Sequence, residues 1–120
     1  MRDHTKYKAF QLADALLISV YLMTKSFPRE EIYGLTSQMR RAAISIPSNI
    51  VEGCGRETEK EFLRFLEIAF SSLRELKYQV TIAQRIGCMK DSGNIDQKLI
   101  ELEKVMASLI KSIKKGSVGK

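Results

Sequence analysis

Tryptophan is absent from these 120 residues, histidine occurs once, and cysteine and proline occur twice each. The scarcity of histidine and that of cysteine each removes a class of protein. The one histidine, His4, stands near the N-terminus and no ExxH motif exists. Glu52, Glu67, Glu75 and Glu101 therefore lack the histidine that a di-iron centre in a helical bundle would need at ligand spacing. Cys54 and Cys88 have neither CxxC spacing nor a histidine nearby, which leaves free thiols in place of a zinc site or a disulfide framework. Arg56 lies two residues after Cys54 and could lower its thiol pKa, but a base and an orienting partner are missing. The run GCGRET, starting at Gly53, contains GxG, yet it follows a helical pattern, and the preceding strand and third glycine of a phosphate-binding loop are missing. No apolar run approaches the roughly 18 residues of a membrane span, and MRDHTKYK has no apolar segment directly after its charges. The expectation is a cytoplasmic, non-enzymatic chain without cofactor, metal, small-molecule substrate or membrane contact. Internal repeats and low-complexity segments are also missing.

What is present suits one core. At 13.7 kDa, with 44% hydrophobic and 28% charged residues, the chain forms a single domain over 1–120. Its net charge of +6 attracts polyanions more strongly as salt falls, and equally serves solubility.

Ala9, Ala13, Leu16, Leu17, Val20, Met23 and Phe27 recur at spacings of three and four, which predicts an amphipathic helix over 5–26. Pro28 breaks it, and Arg29–Glu31 form a short turn that Gly34 ends. Leu35, Met39, Ala42, Ile46, Asn49 and Gly53 predict a second helix over 36–53, with Thr36 as its N-cap. Pro47 sits inside this helix, where it costs about 3 kcal/mol. No Glu or Gln of a capping box follows Ser48 or Asn49, so Pro47 predicts a kink held by neighbouring helices and not a helix end. Asn49 falls on the core stripe and needs a partner. Arg41, Ser45, Ser48 and Glu52 form a second, polar stripe. It is either a partly exposed face of mixed polarity, or Arg41 and Glu52 pair with another helix or subunit.

Gly53 and Gly55 end the second helix. Thr58 with Glu61 forms a capping box that opens a third helix over 58–86, joined so tightly that it must run antiparallel to the second. Phe62, Leu66, Ala69, Leu73, Leu76, Val80 and Ala83 make its core seam. Phe65, Ile68, Phe70, Ile82 and Ile86 lie off that seam and supply a second contact, such as one between subunits. A polar loop spans Lys90, Asp91, Ser92 and Gly93, and Asn94 with Gln97 forms another capping box. Ile95, Leu99, Leu102, Met106, Leu109 and Ile113 predict a fourth helix over 95–115, with Lys111, Lys114 and Lys115 complementing the carbonyls of its last turns. Residues 116–120 are expected to be a disordered tail. The fold class is all-α: an antiparallel up-down-up-down four-helix bundle with its second helix kinked at Pro47.

Basic residues fall in two groups: Arg40, Arg41 and Arg56 with the second helix, and Lys60, Arg64, Arg74, Lys77 and Arg85 along the third. Lys60, Arg64, Ser71, Arg74 and Tyr78 can share one solvent face, interrupted by Glu67. Such a run reads as a solvated face laced with helical ion pairs, or as a surface that tracks phosphates.

The runs RRAAISIPSNIVEG at Arg40–Gly53 and EFLRFLEIAFSSLREL at Glu61–Leu76 resemble the four-helix bundle proteins encoded by intervening sequences in bacterial 23S ribosomal RNA genes. The likeness extends from SFPREEIYGLTSQ at Ser26 to IAQRIG at Ile82. It departs at Phe70, Ser71 and Ser72, where the family commonly has Arg-Gly-Ser. The resemblance implies a non-catalytic homopentamer in which Pro47, Ser48, Asn49, Glu52 and Gly53 are structural or interface residues. It extends in fold to the accessory variability determinant of diversity-generating retroelements, which implies RNA and a reverse transcriptase as partners reached through a basic surface.

Overall fold

The seam of the third helix shows how the chain closes on itself. The computed structural model describes residues 2–89 and 93–119, and among these all seven seam residues from Phe62 to Ala83 are buried. The helix that carries them, α3, spans Glu59–Arg85. Thr58 caps it from an extended backbone, its hydroxyl oxygen accepting from the Glu61 N–H at 3.1 Å. That hydroxyl also donates to Glu61 Oε1 at 3.3 Å, so the glutamate completes the box through the side chain of Thr58. The other helices are α1 (Lys8–Thr24), α2 (Leu35–Cys54) and α4 (Gly93–Gly119).

Each helix packs on its neighbours in the chain, and α1 closes the ring on α4. The directions alternate. Arg2 at the start of the chain reaches the Arg56 carbonyl beyond α2, whereas Thr24 at the end of α1 meets Arg40 near the start of α2. Gly53 lies against Phe62 and Phe65, while Ser45 meets Ser72 further along. Lys114 pairs with Glu67 and Lys77 with Glu103. The result is the up-down-up-down bundle, drawn out to 51 × 21 × 19 Å. Its core joins Ala13, Leu16 and Val20 of α1, Met39, Ile46 and Ile50 of α2, the α3 seam, and Leu99, Leu102 and Met106 of α4.

Several boundaries depart from the sequence pattern. Residues expected to open the first helix at Thr5 instead form a 3-10 turn, His4–Lys6, in which Asp3 accepts from the Thr5 N–H and hydroxyl. Thr36 is not the N-cap of α2. Gly34 holds that position, and Glu31 Oε1 accepts from the Leu35 N–H at 3.0 Å. A Cβ on Gly34 would stand 2.9 Å from that carboxylate oxygen, so glycine admits a side chain that satisfies a free helix donor from four residues back. Thr36 is drawn into the first turn and buried, its hydroxyl without a partner among the described residues.

Helix α2 runs unbroken through Pro47, which is buried on the core side. Asn49 was expected in the core, but it is half-buried and supplied with partners: its Nδ2 donates to the Ser45 carbonyl at 2.8 Å and to Ser45 Oγ at 3.0 Å. At the other end of the molecule, α4 continues through residues 116–119, where a disordered tail was expected. Asn94 stands inside α4 and is not its cap. The polar loop at Lys90, Asp91 and Ser92, like Lys120, lies outside the described residues.

Candidate nucleic-acid interface

An α-helix turns through a full circle every 3.6 residues, so a buried seam on α3 forces the residues opposite it outward. Lys60, Arg64, Glu67, Ser71, Arg74, Tyr78 and Arg85 are all exposed along that outer face. Lys60, Arg64, Arg74 and Arg85 make no ion pair or side-chain hydrogen bond with the described residues. They are spread over 25 positions, about 37 Å along the axis.

The other basic residues of the sequence-derived set divide sharply. Arg41 is exposed on α2. Arg40 is half-buried and engaged with α1: its Nε donates to Thr24 Oγ1 at 2.8 Å, an Nη donates to the Tyr21 carbonyl at 3.4 Å, and its guanidinium lies 4.7 Å from the Tyr21 ring centre. Arg56 is similarly engaged, 2.7 Å from Glu52 Oε1 and 4.7 Å from the centre of the Phe65 ring. Lys77 crosses to α4 and pairs with Glu103 at 3.0 Å. In the stripe Arg41, Ser45, Ser48 and Glu52, the Glu52 carboxylate pairs one turn onward, with Arg56. Gly53 and Pro47 are buried, and Ser48 is exposed.

Two residues that sequence reasoning assigned to the end of α4 belong to this site. Because α4 continues to Gly119, Lys111 and Lys114 are not in its last turn. They face α3 across a cleft of about 540 Å³, with Arg74 on the opposite wall and Phe70 and Ile110 at its base. Lys114 reaches Glu67 at 3.1 Å. The signal was the antiparallel register of α3 and α4, which sets the two turns of Glu67–Arg74 beside the two turns of Ala107–Lys114.

The thiols offer little chemistry. Burial pushes the Cys54 thiol up, with a smaller opposing pull from the charge of Arg2, contrary to the lowering that Arg56 suggested. No group of three or more His, Cys, Asp or Glu among the described residues could hold a metal ion, and no helix among them is long and apolar enough to cross a membrane.

Fold and site together define an all-helical bundle whose candidate site is a cationic surface. The model of the 23S rRNA-intervening sequence protein family matches residues 5–110, and the chain belongs to that family. The family description names no reaction. No curated protein matches the chain at a significant level.

Proposed function

We propose that this protein is a non-catalytic, oligomeric accessory protein that binds RNA through the outer face of α3. The observation that carries the reading is the set of four exposed cations, Lys60, Arg64, Arg74 and Arg85, left unpaired among the described residues of one helix face. Two carboxylates share that face: Glu67, which turns to Lys114, and the exposed Glu75, which makes no ion pair with the described residues, so the cations outnumber them four to two. Lysines and arginines in such a row neutralise successive phosphates and release their counterions. Arg41 extends the charge on α2. Arg40, Arg56 and Lys77 already have partners within the chain and are less free to meet a phosphate. Assembly of several copies, the pentamer that the family resemblance implies, would repeat the face and multiply weak contacts by avidity.

The test is a binding titration with structured and unstructured RNA over a series of salt concentrations. Affinity should fall steeply with salt, with a log–log slope of about −0.7 for each phosphate neutralised on a single strand. Replacing Lys60, Arg64, Arg74 and Arg85 together by Gln should weaken binding by more than about tenfold and flatten the slope. No binding at low salt, or binding indifferent to salt, overturns the reading. Light scattering checks the assembly, and a monomer at micromolar concentration contradicts it.

A second reading is favoured by the apolar exposure of α1, where Ile18 and Leu22 are 55% and 59% exposed one turn apart. On this reading the bundle is a scaffold that docks a protein such as the reverse transcriptase of a diversity-generating retroelement. A reverse transcriptase gene beside the coding gene supports it, and an rRNA gene there supports the first.

A further inference from the structure

The cleft between α3 and α4 combines two kinds of surface. Its base is apolar, formed by the half-buried Phe70 of α3 and Ile110 of α4, and its rim carries Arg74, Lys111 and Lys114. The rim's carboxylate, Glu67, already has Lys114 as a partner at 3.1 Å. Arg74 and Lys111 remain exposed and unpaired among the described residues. A volume of about 540 Å³ lies in the range of pockets that hold small ligands or single building blocks of polymers.

We propose that this cleft seats one unstacked nucleotide of a single-stranded RNA, its base against Phe70 and Ile110 and its neighbouring phosphates on Arg74, Lys111 and Lys114. The proposal rests on the reading of α3 as an RNA-facing surface and adds the strandedness of the RNA. Charge complementarity selects the occupant, because three cations against one carboxylate favour a ligand with an anion on either side of a flat apolar group. Continuity points the same way: Arg74 belongs both to the cleft and to the row of unpaired cations on α3, so a backbone tracked along that row passes the cleft. Proteins that hold single strands pair a cationic track with aromatic surfaces for the bases in this manner. The bases of a duplex are stacked inward, and the narrow deep groove of A-form RNA keeps them from such a cleft.

The experiment compares the full chain binding a single-stranded RNA 12-mer with its binding a hairpin duplex of equal length and composition, at one low salt concentration. The single strand should bind at least about tenfold more tightly, and Phe70→Leu, which keeps apolar packing but removes the ring, should weaken the single strand by about fivefold or more while sparing the duplex. Lys111→Glu, at an exposed position, keeps the test open if Phe70→Leu unfolds, and should also weaken the single strand selectively. Equal binding of both RNAs, with neither variant changing the preference, overturns the cleft while leaving RNA binding intact. Loss of all RNA binding in the parent chain overturns the functional reading and the cleft with it. An acidic amphipathic peptide that binds more tightly than the single strand, and loses affinity in Phe70→Leu, assigns the cleft to a protein segment and overturns the nucleotide.

Discussion

Along one edge α3 meets α2 through small groups at close quarters; along the other, outside the core that the two helices share, it meets α4 through long polar side chains, with a cleft toward one end. On the α2 edge, a Cβ added to Gly53 would stand 2.9 Å from Phe65 Cβ and 3.3 Å from the Phe62 carbonyl oxygen, and Ser45 and Ser72 join hydroxyls at 2.8 Å. On the α4 edge the links are Lys77 to Glu103 at 3.0 Å, Lys114 to Glu67 at 3.1 Å, and Gln84 Nε2 to Asp96 at 3.3 Å. The same helix is thus sealed on one side and left accessible on the other. Stability concentrates where backbones approach, and a ligand can be admitted where they do not.

Four measurements break or sharpen this contrast. Gly53→Val should have the largest effect, about 3 kcal/mol lost in urea unfolding, because Phe62 backbone blocks the added methyls; a loss under about 1 kcal/mol would show that the α2 edge can relax. Next comes Ser45→Ala, which leaves Ser72 and Asn49 without a shared partner and should cost about 1 kcal/mol. Replacing Ser45 and Ser72 together removes the stranded Ser72 hydroxyl and should cost less than the two single changes combined, so a double-mutant cycle reports the coupling directly. On the α4 edge, Lys77→Ala or Glu103→Ala should change stability by less than about 1 kcal/mol, since the pair is substantially exposed and screened by salt. A larger, salt-insensitive loss there would erase the difference between the edges.

The smallest effect concerns pH. Because burial raises the Cys54 thiol in the folded chain, the folded state holds its proton more tightly than the unfolded one. The sign follows: the contribution is fully present below the unfolded thiol's pKa of about 8.5 and is lost as pH rises above it. Wild type should therefore lose stability between neutral and alkaline pH slightly faster than Cys54→Ala, and superimposable curves would contradict a raised thiol pKa.

The buried faces were legible because periodicity is a local property: every α3 residue that the seam singled out is buried. Thr36 misled because cap preference concerns the residue alone, whereas the capping group here came from Glu31 through a turn started at Pro28. Arg40 looked like a surface charge because the sequence gives no sign that Thr24 and Tyr21 of another helix surround it. Lys111 and Lys114 were read against the end of their own helix, and their place beside Arg74 depends on how α3 and α4 are aligned. Local pattern therefore located the helices and the charged face of α3, and tertiary pairing decided which charges stay free.

The turn between α2 and α3 runs only from Gly55 to Thr58, and this brevity bears on the order of events as the chain folds. Closing so short a loop loses little entropy, so the hairpin of α2 and α3 can gather its contacts before α1 and α4 arrive. Substitutions along that hairpin should then slow folding, with φ-values near 0.5–0.8, while those in α4 should chiefly speed unfolding. Stopped-flow chevrons of Ala69→Gly in α3 and Leu102→Ala in α4 measure this, and a higher φ-value for Leu102→Ala would reverse the order.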